Sequence, residues 1–476
     1  MPLHVYNTLS KSLEEFIPIN GRNVNMFVCG QTVYDDAHLG HAKTYISFDV
    51  IARWLRLLDF KVNYIQNITD IDDKIIARAK ERSIDAMELA RNYEKRFLED
   101  MARIGVRKNV TKYVRSYDYI DAMRAQIQLL LDKGYAYDID GDVYYDVAKF
   151  KTYTAMSGMK VGELARHRIE PREGKRNVYD FALWKTAKPG EPSYKIMLKV
   201  SGKDKDFGGR PGWHIEDTAI TSTVFGPQYD LHGGALELLF PHHSNEIAQA
   251  EAAYGVHPFV KYWLHSGILN IRGAKMSKSL KNFITIREVL EKYEPEVLRL
   301  MVSAAHYRKE VNYDEKSMAA ASGNLHYIYS SFSMFYNMKA VKAAKDDQQI
   351  IDLASKFEKE FTDAMNDDFN TSLALSKLMI TIRNLRSFTE SHNEIGTEAK
   401  ESASIAILKL ANALGILEKE MYKEKIPDEI LDMINKRESM RKAKDFKGAD
   451  EIREKLKSDY RIALEDTEYG PVWYKI

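Results

Sequence analysis

The chain has 476 residues, 45% hydrophobic and 29% charged, with a formal net charge of +1. That balance is ordinary for a globular protein of about two to four domains, and it excludes a strongly basic whole-chain field, so any nucleic-acid surface has to come from local patches. No run of about 18 uncharged apolar residues suits a membrane span, the N-terminal MPLHVYNTLSKSLEEF lacks the apolar core of a signal peptide, and the single cysteine, Cys29, excludes an internal disulfide and fits a reducing cytoplasm.

In chain order, VNMFVCG (24–30) is a short apolar run ending in glycine, the pattern of a buried strand followed by a loop. Tyr45, Phe48, Ile51, Trp54, Leu55 and Leu58 recur at spacings of three and four, which predicts an amphipathic helix over 42–58. KVNYIQNI (61–68) is expected as a second strand, giving a βαβ unit of a parallel sheet. Residues 70–104 read as helical with one charged face. From about 115 to 205 the pattern changes: VYYDVAKF suggests a strand, and the stretches 166–176 and 187–193 suggest loops, as in an insertion. The sheet is expected to resume near 213, with YDLHGG (229–234) and YWLHSGILNI (262–271) as strands. Helix formers dominate from about 316 to 420, where LALSKLMITIRNLRSF (373–388) has clear helical periodicity, the mark of a helical bundle. The tail from about 426 holds a charged helix and two strand-like pieces, RIALED and PVWYKI.

Two motifs carry chemistry. His38-Leu39-Gly40-His41 falls between the first strand and its helix. A glycine there lets backbone approach a nucleotide closely, the helix start offers N–H groups to phosphate, and two histidines can donate hydrogen bonds to phosphates. Lys275-Met276-Ser277-Lys278-Ser279 follows the later strand. Lysines on such a loop can neutralise charge growing on leaving pyrophosphate. Two loop histidines, or a basic Lys-Ser loop, would each mean little alone. Both, in this order and at opposite ends of a parallel-sheet domain, are specific.

These motifs resemble the HIGH and KMSKS signatures of class I aminoacyl-tRNA synthetases, with Leu39 a volume-conserving departure. CGQTVYDDAHLGHAKTYISFDV, NITDIDDKI, RPGWHIE, HGGALELLFPHHSNEIAQ and KMSKSLKNF are similar to the cysteinyl-tRNA synthetase family, as are RKAKDFKGADEIREKL and ALEDTEYGPVWYKI near the end. The resemblance implies an α/β fold: a Rossmann-like parallel-sheet catalytic domain (1–114 and 206–315, the second part with the KMSKS and stem-contact region) split by an insertion (115–205). An all-α bundle (316–425) and a small mixed α/β anticodon-binding domain (426–476) then follow. It implies ATP-dependent activation of L-cysteine and transfer to tRNA(Cys), with Mg²⁺ accompanying ATP, in a cytoplasmic and often monomeric enzyme.

The family reads cysteine with one zinc ion, and residue matching puts its ligands on Cys29, Asp217, His242 and Glu246. Asp217 stands where the family usually has cysteine. The ligand charge is unchanged, but an oxygen donor is harder than sulfur; the alternative is that Asp217 only charges the first turn of a helix. By the same matching, His38, His41, Lys275 and Lys278 are catalytic, and His38, Gly40, His41, Glu237 and Lys278 hold ATP. Glu237 replaces the family's usual aspartate at the ribose. Cys29, Thr69, Trp213 and His232 face the substrate, with His243 also near the metal; Trp213 and the two histidines have ordinary core packing as their alternative. Asp70, Asp72 and Asp73 form an acidic cluster for which helix capping is the simpler account. Lys and Arg outnumber acids over 436–457, which suits phosphates or plain solvation. Trp473 and Tyr474 suit either stacking on anticodon bases or the small domain's own core. Two rivals stay open: a small-molecule ligase on the same catalytic domain, which the tail argues against, and a non-catalytic tRNA-binding paralogue, which the intact motifs argue against.

Overall fold

The computed structural model describes residues 2–159, 172–276, 282–423, 427–467 and 470–475. A parallel sheet of five strands organises the molecule, in the order Val260–Ser266, Tyr229–Ala235, Asn23–Thr32, Lys61–Thr69, Lys112–Arg115. The strands Asn23–Thr32 and Lys61–Thr69 are buried on both faces along most of their length, so consecutive residues such as 26–29 and 64–69 are all inaccessible, the polar Gln66 and Asn67 among them. From the central strand Asn23–Thr32 the chain first builds outward through Lys61–Thr69 and Lys112–Arg115. It then returns to add the other two strands on the opposite side. The order therefore reverses between Asn23–Thr32 and Tyr229–Ala235, and in such sheets ligands sit beyond the carboxyl ends of the strands at that reversal.

The helix expected over 42–58 begins earlier, at Leu39, and runs to Leu57. It opens inside the HLGH motif because His38 caps it: the His41 N–H donates to His38 Nδ1 and the His38 N–H donates to His41 Nδ1. Residues 70–104 form two helices, Asp73–Arg82 and Ala86–Arg103. Ser83 (φ 53°) breaks the run, and Asp85 caps the second helix by accepting from Met87 and Glu88 N–H.

The region expected to hold one strand and loops contains a five-stranded antiparallel sheet: Ala136–Ile139, Asp142–Tyr145, Phe181–Thr186, Lys203–Pro211 and Tyr194–Val200, in that spatial order. Only part of the stretch 166–176 is described, whereas 187–193 joins two of these strands. Lys203–Asp206 is exposed, so its charged side chains carry no sign of burial, and cross-strand pairing rather than local propensity makes it a strand. YWLHSGILNI also divides. Val260–Ser266 joins the main sheet, while Leu269–Ile271 pairs with Val311–Tyr313 and Ala274–Lys275. Gly267 marks the change; a Cβ there would lie 2.3 Å from the Lys309 carbonyl oxygen.

Four long helices, Glu315–Tyr336, Asp347–Asn366, Thr371–Ser391 and Thr397–Leu414, dominate the region expected to be all-α, which also holds a short parallel pair of strands, Lys339–Val341 and Glu394–Gly396. The tail has two helices, Asp428–Lys442 and Phe446–Tyr460, followed by the paired strands Ile462–Thr467 and Gly470–Lys475. Among the described residues, no helix is long and apolar enough to cross a membrane.

One apolar core runs from the sheet into the helical region, and a buried ion group ties them. Asp49 accepts from Arg53 Nε at 2.7 Å and Arg299 Nη2 at 2.5 Å. Arg299 also donates to the Ile104 and Leu414 carbonyls. Asp49→Ala would leave two buried guanidinium groups without their shared carboxylate. Its expected cost is about 3–5 kcal/mol, read as a lower urea midpoint; an unchanged midpoint would contradict this role.

Candidate functional site

At the carboxyl end of the central strand, register with Lys61–Thr69 slips between Val28 and Gln31. Cys29 and Gly30 occupy this bulge, which re-aims the cysteine side chain. Gly30 is required by close approach: a Cβ would lie 1.7 Å from the Asn67 carbonyl oxygen. Its N–H donates to Asn67 Oδ1 at 2.5 Å.

Around Cys29 gather residues from three other segments. Asp217 lies in the first turn of helix Ile215–Phe225, His242 in the turn Leu239–His243, and Glu246 in the first turn of helix Ser244–Tyr254. All four side chains are buried, and one ligating atom from each lies within 4.8 Å of the others. Every residue of the expected metal set is thus brought together. His242 Nε2 is 3.0 Å from Asp217 Oδ2 and 2.8 Å from Glu246 Oε1. The Asp217 side chain points into this group rather than capping its helix. Its other oxygen, Oδ1, accepts from Asn67 Nδ2 at 2.7 Å.

A second group overlaps the first: Cys29, His232, His243 and Glu246 also bring ligating atoms within 4.8 Å. Cys29 Sγ is 3.2 Å from His232 Nε2 and from His243 Nε2. The far nitrogen of each ring is anchored, His232 Nδ1 to the Tyr229 hydroxyl at 2.6 Å and His243 Nδ1 to His265 Nε2 at 2.8 Å. His265 in turn meets the Thr8 hydroxyl at 2.9 Å. His242 Nδ1 is similarly held by His214 Nδ1 at 2.8 Å. Trp213, partly exposed, stacks on His242 with ring centroids 4.3 Å apart.

The electrostatics favour a bound cation. Burial, then Asp217 and Glu246, push the Cys29 thiol well above its ordinary value. Burial raises Glu246 as well. Burial opposes charging His242, but Glu246 and Asp217 outweigh it and hold it protonated. Neither Glu246 oxygen takes part in a hydrogen bond of regular geometry although both are buried; its close neighbours are His242 Nε2 at 2.8 Å and His232 Nδ1 at 3.5 Å. Sulfur, imidazole nitrogen and carboxylate oxygen form a donor set suited to a borderline divalent ion.

Tyr45 lies between the HLGH turn and this cluster: its ring stacks 5.9 Å from that of His41, and its hydroxyl feels Cys29 and Asp217. The His38 and His41 rings stack at 3.7 Å, and low-dielectric surroundings, then His38 and Lys74, push His41 well below its usual value. A Cβ on Gly40 would lie 2.9 Å from the His38 ring. The Leu39 N–H donates to the Ile284 carbonyl and the Ile286 N–H to the Ala37 carbonyl, joining the turn to the segment after the second motif. Lys275 forms an ion pair with Glu237. Lys278 lies outside the described residues.

Thr69 faces the cluster, but its hydroxyl donates to Glu216 Oε1 at 2.6 Å. Glu216, which also accepts from the Ser116 hydroxyl, is a buried acid at the site that the sequence did not reveal, and the polar neighbours Asn67, His214 and His265 were equally hidden. Polar residues at the carboxyl ends of apolar strands, such as His265 in KYWLHS, are the signal that would have found some of them. Asp70, Asp72 and Asp73 do not converge: Asp72 caps a helix through Lys74 N–H, Asp70 accepts from Tyr117 N–H, and Asp73 pairs with Lys185 and Arg210.

Residues 15–323 match the family described as tRNA synthetases class I (C) catalytic domain, and residues 360–418 match the DALR domain. A Cysteine--tRNA ligase of Thermococcus onnurineus (strain NA1) is 42% identical over 487 residues, covering 100% of both chains. One from Caldicellulosiruptor saccharolyticus is 42% identical over 473 residues, covering 98% of each. Among solved structures, Mycobacterium tuberculosis methionyl-tRNA synthetase in complex with methionyl-adenylate superposes with TM-score 0.57 at 14% identity, over 83% of this chain and 89% of that one. The Agrobacterium radiobacter K84 LeuRS-tRNA-LeuAMS ternary complex gives 0.58 at 10%, over 86% and 87%. These two likenesses are of fold.

Because Cys29 is the single cysteine and its thiol is pushed up by burial and neighbouring acids, chelator-treated folded protein at pH 8 is expected to resist iodoacetamide, since the thiolate is the nucleophile. Mass spectrometry should show one alkyl group only after denaturation. Fast single labelling of the folded protein would contradict the buried, protonated thiol.

Proposed function

The chain belongs to the cysteinyl-tRNA synthetase family of class I aminoacyl-tRNA synthetases and is a cysteine–tRNA ligase, and from that premise we propose that it forms cysteinyl-adenylate from L-cysteine and ATP, then passes the cysteinyl group to the 3′ end of tRNA(Cys), with zinc selecting the substrate thiolate. The observation that carries this reading is the convergence of Cys29, Asp217, His242 and Glu246 in a buried cluster, with Tyr45 between it and His41 of the HLGH turn. When bound, zinc supplies a Lewis acid that favours a thiolate over a hydroxyl.

Serine differs from cysteine by one atom, and an apolar pocket separates near-isosteres poorly. The cluster supports selection by donor type instead. Trp213, itself partly exposed, stacks on the buried His242. His232 and His243, neutral because burial drives their proton affinity down, offer Nε2 atoms towards Cys29 without adding charge.

On the nucleotide side, His38 and His41 are assigned to the ATP phosphates: their stacked rings accept backbone N–H bonds at Nδ1, which leaves each Nε2–H to donate, and Gly40 keeps the turn narrow. Mg²⁺ travels with ATP. The carboxylate of cysteine attacks the α-phosphorus, the bond to the β-phosphate oxygen breaks, and pyrophosphate leaves. Lys275 and Lys278 are assigned to the charge that grows on it, and Glu237 to the ribose hydroxyls. The Glu237–Lys275 pair supports that assignment by putting both ends of the nucleotide site within reach of one another. Positioning and electrostatics supply most of the rate. Residues 115–205 are assigned as the insertion, 316–425 as the tRNA-binding bundle, and 426–476 as the anticodon module, acting in the cytoplasm. Trp473 is half-buried beside the small apolar cluster of this last region, so its ring contributes to that core. Alignment of relatives over the full chain favours a tRNA ligase over a small-molecule ligase lacking the tail.

Metal analysis paired with ATP–pyrophosphate exchange tests this. The wild type should hold one zinc and activate cysteine far faster than serine. Asp217→Ala should lose zinc and at least about tenfold in cysteine activation. Unchanged zinc and unchanged discrimination in that variant would remove Asp217 from the site.

A further inference from the structure

Asn67 belongs to no motif role assigned above, yet it is 1% exposed and touches both sides of the metal cluster. Its amide orientation is fixed by chemistry. The Gly30 N–H can only donate, so the atom it meets at 2.5 Å is Oδ1, and Nδ2 must face Asp217. Nδ2 gives one hydrogen bond to Asp217 Oδ1 at 2.7 Å and a longer one, 3.3 Å, to the Thr69 hydroxyl. That hydroxyl donates its own hydrogen bond to Glu216 Oε1. The group is therefore fully partnered and held in one rotamer.

The contact matters because Asp217 is a carboxylate and not a thiolate. A thiolate presents one donor atom and leaves nothing else to satisfy. A carboxylate has two oxygens: it can rotate, or grip an ion with both. If only one oxygen binds, the other is a buried acceptor that needs a partner. Asn67 supplies it. With Oδ1 taken, Oδ2 remains, 3.0 Å from His242 Nε2 on the cluster side. Meanwhile the amide oxygen of the same side chain holds the backbone immediately after Cys29.

We propose that Asn67 is the positioning residue that makes Asp217 a one-oxygen zinc ligand, and that it locks this ligand and Cys29 into one geometry. The proposal rests on the zinc reading above. It has a consequence that a purely structural asparagine would not: the part of its effect that runs through Asp217 should vanish when residue 217 has no second oxygen.

The test measures zinc affinity by chelator competition and the visible spectrum of the Co²⁺-loaded protein for the wild type, Asn67→Ala, Asp217→Cys and the double variant. Asn67→Ala is expected to weaken zinc about 10–100-fold in the Asp217 protein and to alter the Co²⁺ bands. In the Asp217→Cys background the loss should be at least about tenfold smaller, since only the Gly30 contact is then removed. Asn67→Asp, nearly the same shape, keeps the acceptor for Gly30 but offers Asp217 no donor. It gives the same answer should the alanine variant fold poorly, with weakened zinc expected. Equal losses in both backgrounds, or wild-type affinity and spectrum in both Asn67 variants, would overturn the proposal while leaving the zinc reading intact. A wild-type protein that holds no zinc would instead remove the reading itself.

Discussion

Burying three acidic groups against one another is the constraint around which the active end of this protein is built. Cys29, Asp217 and Glu246 come from three elements, share one small volume, and have His242 as their protonatable neighbour. Packed this way without a dication, the cluster raises the thiol and holds His242 charged. With a dication, the same crowding becomes a ligand shell. The geometry is unfavourable for a plain hydrophobic pocket, and the crowding that raises the thiol is the same crowding that would gather donors around a cation.

The fold delivers these groups through ordinary means. Strand order reverses beside the central strand, which opens a crevice at the carboxyl ends. A bulge at Cys29–Gly30 aims the thiol, and the absence of a Gly30 side chain lets Asn67 close over it. Two helices enter the crevice by their first turns, carrying Asp217 and Glu246 where a negative side chain is best tolerated. The helix that starts in the nucleotide motif also bears Asp49, whose ion group reaches the helical region. The HLGH turn and the helical region are thus both attached to the helix Leu39–Leu57.

What the sequence disclosed follows from how local each signal is. The βαβ start, the bundle helices and the HLGH turn are written in contiguous residues, and the structure has them. The four expected ligands meet because motif matching already encoded their long-range pairing. Asn67 and Asp217 are 150 positions apart, and nothing local in NITD or WHIED announces their hydrogen bond. Glu216 was passed over because its neighbour drew the ligand assignment, yet it anchors Thr69. The antiparallel sheet of the insertion was hidden for a different reason: strands such as Lys203–Pro211 keep charged residues on a wet face, so their identity comes from partners rather than composition.

Zinc-edge X-ray absorption of the purified protein, before and after L-cysteine, addresses the thiolate–metal claim most directly. The account predicts one sulfur at about 2.3 Å with nitrogen and oxygen donors at about 2.0–2.2 Å, and a second sulfur appearing when cysteine but not serine is added. A shell with no sulfur, or one that does not change with cysteine, would contradict it.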